Sequence, residues 1–140
     1  MQNVDGDNRS GLERAAREAA GWSYAPYSRF PVGAAVQVPD GRVFSACNVE
    51  NASLGLSICA ERAAVFQAVA AGCREIATVV VYTPTARVVT PCGACLQVIA
   101  EFGPKAAIVC ICDSADRIET TLEALLPAAF GARIPGKATD

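Results

Sequence analysis

Apolar residues recur along the chain in two periods, and the switches between them mark out its elements. Leu12, Ala15, Ala16, Ala19 and Ala20 fall at helical spacing with charged residues between them, which predicts a helix over about 11–22. Residues 1–10 lack that pattern, are polar and rich in Asn and Asp, and read as a flexible N-terminus. Tyr24-Ala25-Pro26-Tyr27-Ser28 breaks the helix, because Pro disfavours a helical residue before it. Val32 to Val38 and Arg42 to Val49 then read as two strands joined at Pro39-Asp40-Gly41, whose Asp-Gly suits the reversal of an antiparallel hairpin. A second helix opens at Cys59, carries Ala63, Ala64, Val65, Ala68 and Val69 on its apolar side, and stops at Gly72. Ile76 to Tyr82 is a buried strand, Thr83 to Pro91 a loop, and Cys92 to about Phe102 a third helix ended by Gly103-Pro104. Ala106 to Cys112 is almost wholly apolar, as a strand covered on both faces must be. A short strand near Arg117–Thr120 and a helical turn at Leu122–Leu126 complete a domain over 11–131, with 132–140 as a Gly/Pro-containing tail. The succession strand, helix, strand, helix, strand implies parallel crossovers and a single α/β sheet with helices on its faces.

Composition narrows what such a domain can do. With 140 residues, of which 52% are hydrophobic, the chain fits one domain with a core of its own. A formal net charge of −2 and no basic run remove the electrostatic footprint of a nucleic-acid binder. No apolar run approaches the roughly 20 residues of a membrane span. Seven cysteines, an odd number, with no secretory signal ahead of them point to a reducing compartment, the cytoplasm.

The chemistry gathers in two stretches at predicted helix starts, Cys59-Ala60-Glu61-Arg62 and Pro91-Cys92-Gly93-Ala94-Cys95. A Cys-x-x-Cys pair in the first turn of a helix puts both sulfurs on one face, and zinc takes thiolates in a tetrahedral shell. With Cys59 as third ligand beside Cys92 and Cys95, the fourth position stays open for water, which distinguishes catalytic from structural zinc. Helix N-termini favour the thiolate form. Glu61 stands beside such a metal without ligating it, and Arg62, three residues after Cys59, can donate to thiolate sulfur and offset its charge. The chain has no histidine, so a His-ligated variant of the site is excluded. A thiol redox pair, a structural zinc module and plain buried thiols are the competing readings of these cysteines. Cys47, Cys73, Cys110 and Cys112 read as core or incidental.

Cys-x-Glu followed by Pro-Cys-x-x-Cys is the layout of the zinc nucleobase deaminases. Together with Phe30-Pro31-Val32-Gly33-Ala34-Ala35 and Asn48-Val49-Glu50-Asn51-Ala52, in that order, it makes residues 12–131 resemble the small homotetrameric cytidine deaminases. The resemblance implies a three-layer fold with a mixed five-stranded sheet, and hydrolysis of cytidine and 2′-deoxycytidine to uridine and 2′-deoxyuridine plus ammonia. It implies Zn²⁺ on Cys59, Cys92 and Cys95, and Glu61 as proton shuttle for a zinc-activated water. Asn48 and Glu50 match the pair that holds the ribose hydroxyls, Phe30 the aromatic of the base pocket, and the backbone of Ala60 a pyrimidine contact. Phe130 matches a C-terminal aromatic that reaches a neighbouring subunit's site in a homotetramer. The partner implied is a small cytosine nucleoside, with neither nucleic acid nor membrane. Deaminases of modified cytosine nucleosides, such as the blasticidin S deaminases, share the zinc stretches, while Phe30-Pro31 and Asn48-Val49-Glu50-Asn51 favour the cytidine branch. Leu54 and Leu96 stand where the family commonly carries Tyr and Arg, positions that bear on subunit contacts and substrate preference.

Overall fold

Gly33 sets how closely the first helix lies on the sheet. In the computed structural model, which describes the backbone of residues 4–131 and the side chains from residue 8 onward, Gly33 opens strand β1 (Gly33–Gln37) beneath helix α1 (Val4–Ala20). A Cβ at Gly33 would lie 1.9 Å from the Ala16 carbonyl oxygen and 2.7 Å from the Ala20 nitrogen, so only a residue without a side chain permits the approach. Leu12, Ala16 and Ala20 of the helix are buried against Ala35, Val80, Tyr82, Val109 and Ile111, which forms one apolar layer.

The other strands are β2 (Val43–Cys47), β3 (Thr78–Tyr82), β4 (Ala107–Ile111) and β5 (Arg117–Thr121), in the order β2-β1-β3-β4-β5. β1 pairs antiparallel with both β2 and β3, β3 runs parallel to β4, and β4 is antiparallel to β5. The crossover from β2 to β3 through α2 (Ala60–Ala70) therefore steps over β1, and the one through α3 (Gly93–Phe102) joins neighbouring parallel strands. On the second face Ala64, Val65 and Ala68 of α2 and Leu96 and Ile99 of α3 pack on Val36, Val79, Val81, Ile108 and Cys110, with Leu122 of α4 (Leu122–Leu125) at the margin. This is the mixed five-stranded sheet with helices on both faces that the sequence predicts.

The differences lie at the edges of elements. Helix α1 begins at Val4, inside the stretch read as a terminus, because a nucleated helix continues past its buried face without an apolar stripe. Arg9 on that extension pairs with Glu119 of β5 at 3.0 Å. At its other end α1 stops short of residue 22, where Gly21 and Trp22 donate to Glu18 and Ala19 in a tightening turn. Residues 1–3 and the tail 132–140 lie outside the described residues. Gly41, at φ +96°, makes the hairpin reversal between β1 and β2. A single 3-10 turn over Leu54–Leu56 was not predicted, and it buries none of its residues, so no apolar period could announce it. Leu96 is 6% exposed within the core, whereas Leu54 is 69% exposed. The two departures from the family pattern thus occupy opposite environments. Among the described residues no helix is long and apolar enough to cross a membrane.

Candidate active site

Both metal stretches sit where helices begin. Cys59 is the N-cap of α2 and Cys92 the N-cap of α3, each in extended backbone, and Cys95 lies one turn further into α3. The packing of α2 beside α3 on one sheet face brings the sulfurs of Cys59, Cys92 and Cys95 within 4.8 Å of one another, with Cys92 and Cys95 3.5 Å apart. Three convergent sulfurs at helix N-termini fit a thiophilic divalent metal. Arg62 places Nη2 3.5 Å from the Cys59 sulfur, and its buried Nε has no hydrogen-bond partner. Hydrogen bonding from Cys95 and from Arg62 holds the Cys59 thiol down at about 5. Cys95 is pushed up by that same bond to Cys59, by burial and by the charge of Glu61.

Glu61, in the first turn of α2, is 4% exposed. Burial pushes its carboxyl up, and the charge on Cys59 pushes in the same direction. A carboxyl moved toward neutrality can take and return a proton more readily than a solvated one. Cys110 of β4 is fully buried, and its thiol is pushed up to about 12 by burial and by Glu61's charge, which makes it an inert core residue rather than a ligand. Cys47, Cys73 and Cys112 also lie outside the sulfur cluster.

Cys59, Glu61 and Cys92 open onto a cavity of about 390 Å³. Ser28, Phe30 and Val32 from the segment before β1 form one side, Asn48 and Glu50 another, and Val81, Thr83, Val89 and Thr90 the rest. Asn48 and Glu50 alternate along an extended segment pinned by Tyr24 and Ile58, which turns both toward the cavity. The Asn48 amide is oriented by its neighbours: Oδ1 accepts from Val32 N at 2.9 Å and from Ser23 Oγ, and Nδ2 donates to the Phe30 carbonyl at 2.8 Å. One Nδ2 hydrogen remains to offer. Glu50 accepts from the Tyr27 and Ser28 amides, both at 3.0 Å, and from the Ser28 hydroxyl, and these donors, the hydroxyl foremost, hold its carboxyl below the usual range. The pair therefore offers a donor and an anionic acceptor side by side.

The model of the cytidine and deoxycytidylate deaminase zinc-binding region matches residues 7–111. The chain belongs to this deaminase family. A cytidine deaminase of Halalkalibacterium halodurans is 45% identical over 126 residues, which span 89% of this chain and 96% of that protein. One from Sporosarcina psychrophila is 46% identical over 118 residues, 84% of this chain and 85% of that one. The crystal structure of a cytidine deaminase from Burkholderia pseudomallei matches with a TM-score of 0.83 at 48% identity, covering 86% of this chain and 98% of that one.

Of the residues singled out in this deaminase's sequence, Phe30, Asn48, Glu50, Cys59, Glu61 and Cys92 meet at the cavity, with Cys95 and Arg62 behind them. Ala60 is fully buried with its methyl in the core, so only its backbone is available to a ligand. Phe130 stands apart. It is 78% exposed and outside the cavity lining, tethered through its carbonyl, which accepts from Gln97 Nε2 at 2.9 Å. Sequence reasoning missed Ser28, Val32, Val81, Thr83, Val89 and Thr90. For two of them a signal was present: Val32 lies within the Phe30-Pro31-Val32-Gly33 stretch, and Ser28 is a hydroxyl residue two before its aromatic.

Proposed function

We propose that this chain hydrolyses cytidine and 2′-deoxycytidine to uridine and 2′-deoxyuridine with release of ammonia. The observation that carries this reading is that the sulfur cluster, a buried carboxylic acid and a polar donor–acceptor pair all face one cavity. Cys59, Cys92 and Cys95 would hold Zn²⁺, which when bound would supply a water acidic enough to act as nucleophile near neutral pH. Arg62 offsets the negative charge that three thiolates leave on a divalent ion. Glu61 takes one proton of the attacking water and passes it to N3 of the ring, then takes the second from the new C4 hydroxyl and delivers it to the amino group, which leaves as ammonia as the C4–N bond breaks and the C4 carbonyl forms. Asn48 donates to, and Glu50 accepts from, the ribose hydroxyls, while Phe30 and the Ala60 backbone flank the base. Seven thiols, three of them needed as free ligands, suit a reducing cytoplasm.

Zinc determination beside a panel of cytosine compounds followed by ultraviolet absorbance tests this. We expect about one zinc per chain, and kcat/KM for free cytosine lower than for cytidine by roughly 10³ or more, because a site built around hydroxyls is left with unpaired polar groups when the sugar is missing. Equal values for cytosine and cytidine would remove Asn48 and Glu50 from the site. Preference for a modified nucleoside such as blasticidin S would shift the substrate to that branch, and activity in zinc-free protein would overturn the mechanism.

The assembled form is a homotetramer in which Phe130 completes a neighbour's pocket. Phe130, Trp22, Leu54 and Leu56 leave large apolar side chains on the surface, and obligate interfaces are more apolar than transient ones. Light scattering should give a tetramer, and Phe130→Ala should raise KM for cytidine about tenfold, the scale of losing a well-buried aromatic contact. A fully active monomer would confine each site to one chain and reduce Phe130 to local packing.

A further inference from the structure

Glu50 is an anion held without a cation. Its carboxylate is bound by three neutral donors from one turn, two backbone amides on Oε1 and the Ser28 hydroxyl on Oε2, and among the described residues no Lys or Arg forms an ion pair with it. The turn is defined by its own backbone: Arg29 N donates to the Ala25 carbonyl at 2.9 Å, and Arg29 itself takes the left-handed conformation at φ +57°, which few side chains adopt. Two successive amides converging on one oxygen form a concave anion cradle. Ser28 does more than add a third bond. Phe30 N donates to the Ser28 oxygen at 3.0 Å, so that lone pair is spent, and the single hydroxyl proton is left to point at Glu50.

We propose that Ser28 is a positioning residue for the substrate sugar, fixing Glu50 Oε2 so that its remaining lone pairs face the cavity; this rests on the reading of Asn48 and Glu50 as the sugar-binding pair. Ser28 itself lines the cavity, in direct hydrogen-bond contact with the carboxylate it steers. Without its hydroxyl, Oε1 keeps two amides while Oε2 is free to rotate about them. The carboxylate then no longer meets the sugar hydroxyl at a set angle, and binding weakens while Glu61 and the sulfur cluster are undisturbed.

The test compares cytidine with 2′,3′-dideoxycytidine, which lacks both hydroxyls, in wild type, Ser28→Ala, Ser28→Thr and Glu50→Gln. Ser28→Ala should raise KM for cytidine about tenfold, the scale of one charge-assisted hydrogen bond, and lower kcat less than twofold. Its constants for dideoxycytidine should move less than twofold, and Ser28→Thr should restore the cytidine KM. In a Glu50→Gln background Ser28→Ala should add less than it does alone, because both act through one contact. A KM rise of equal size on both substrates, or an effect that adds fully to Glu50→Gln, would overturn the positioning role. If Glu50→Gln itself fails to distinguish the two substrates, the sugar assignment falls and the positioning proposal with it. If Glu50→Gln distinguishes them and Ser28→Ala does not, the sugar assignment stands and only the role of Ser28 is lost.

Discussion

Glu61→Gln is expected to lower kcat for cytidine by about 10³, within the roughly 10² to 10⁴ that a positioned acid–base group contributes, while zinc content stays at that of wild type. The substitution is nearly isosteric, which matters at a site only 4% exposed, since a smaller residue would add a cavity to the loss of chemistry. An amide can still donate and accept hydrogen bonds, so the cavity keeps its shape and substrate still binds. It cannot take a proton from water or hand one to a departing amine. KM should therefore change much less than kcat, and metal analysis should be indistinguishable from wild type. Loss of zinc with turnover spared would make Glu61 a ligand and reverse its assignment.

Cys95→Ala should abolish both zinc binding and activity. Cys95 is the fully buried member of the cluster, on the first turn of α3, and two thiols at helix N-termini are too few to close a shell that needs three protein ligands. The loss should also reach stability. A metal present at a thousandfold its dissociation constant stabilises the folded state by about 4 kcal/mol, which in a domain of this size corresponds to a fall in Tm of roughly 10 °C. Chelation of the wild-type protein should reproduce that shift, and chelator should leave the Tm of Cys95→Ala unmoved. Thermal melts with and without chelator decide the matter. A variant that keeps zinc and loses only turnover would place the metal on other residues.

How much of this site could be read from the chain follows from how locally each part is specified. Cys59-x-Glu61 and Cys92-x-x-Cys95 are legible because each lies within a single helix start, where spacing alone decides which side chains share a face. Asn48 and Glu50 are legible for the same reason in the other period, alternate residues of an extended segment. The apolar runs of β3 and β4 announced strands covered on both faces, and the sheet bears this out with α1 on one side and α2 and α3 on the other. The 3-10 turn at Leu54–Leu56 and the first turns of α1 were not legible, since neither is held by an apolar stripe.

What the sequence determined by itself is therefore the short-range chemistry: three thiols and a carboxylic acid at helix N-termini, a donor–acceptor pair on one strand exit, and enough apolar surface for one covered sheet. What only the tertiary structure decided is which of these meet. The order β2-β1-β3-β4-β5 places β1 between two strands joined through α2, and that pairing depends on contacts between residues far apart in the chain, which no local period encodes. It is this order, with the close seating of α1 at Gly33, that brings the 28–32 segment, the 48–50 segment and the loop before Cys92 to one cavity. Leu96 and Leu54 show the same limit from the other side. Both read as apolar departures from one family pattern, yet the fold buries the first in its core and leaves the second on its surface, because burial belongs to the packed arrangement and not to the residue.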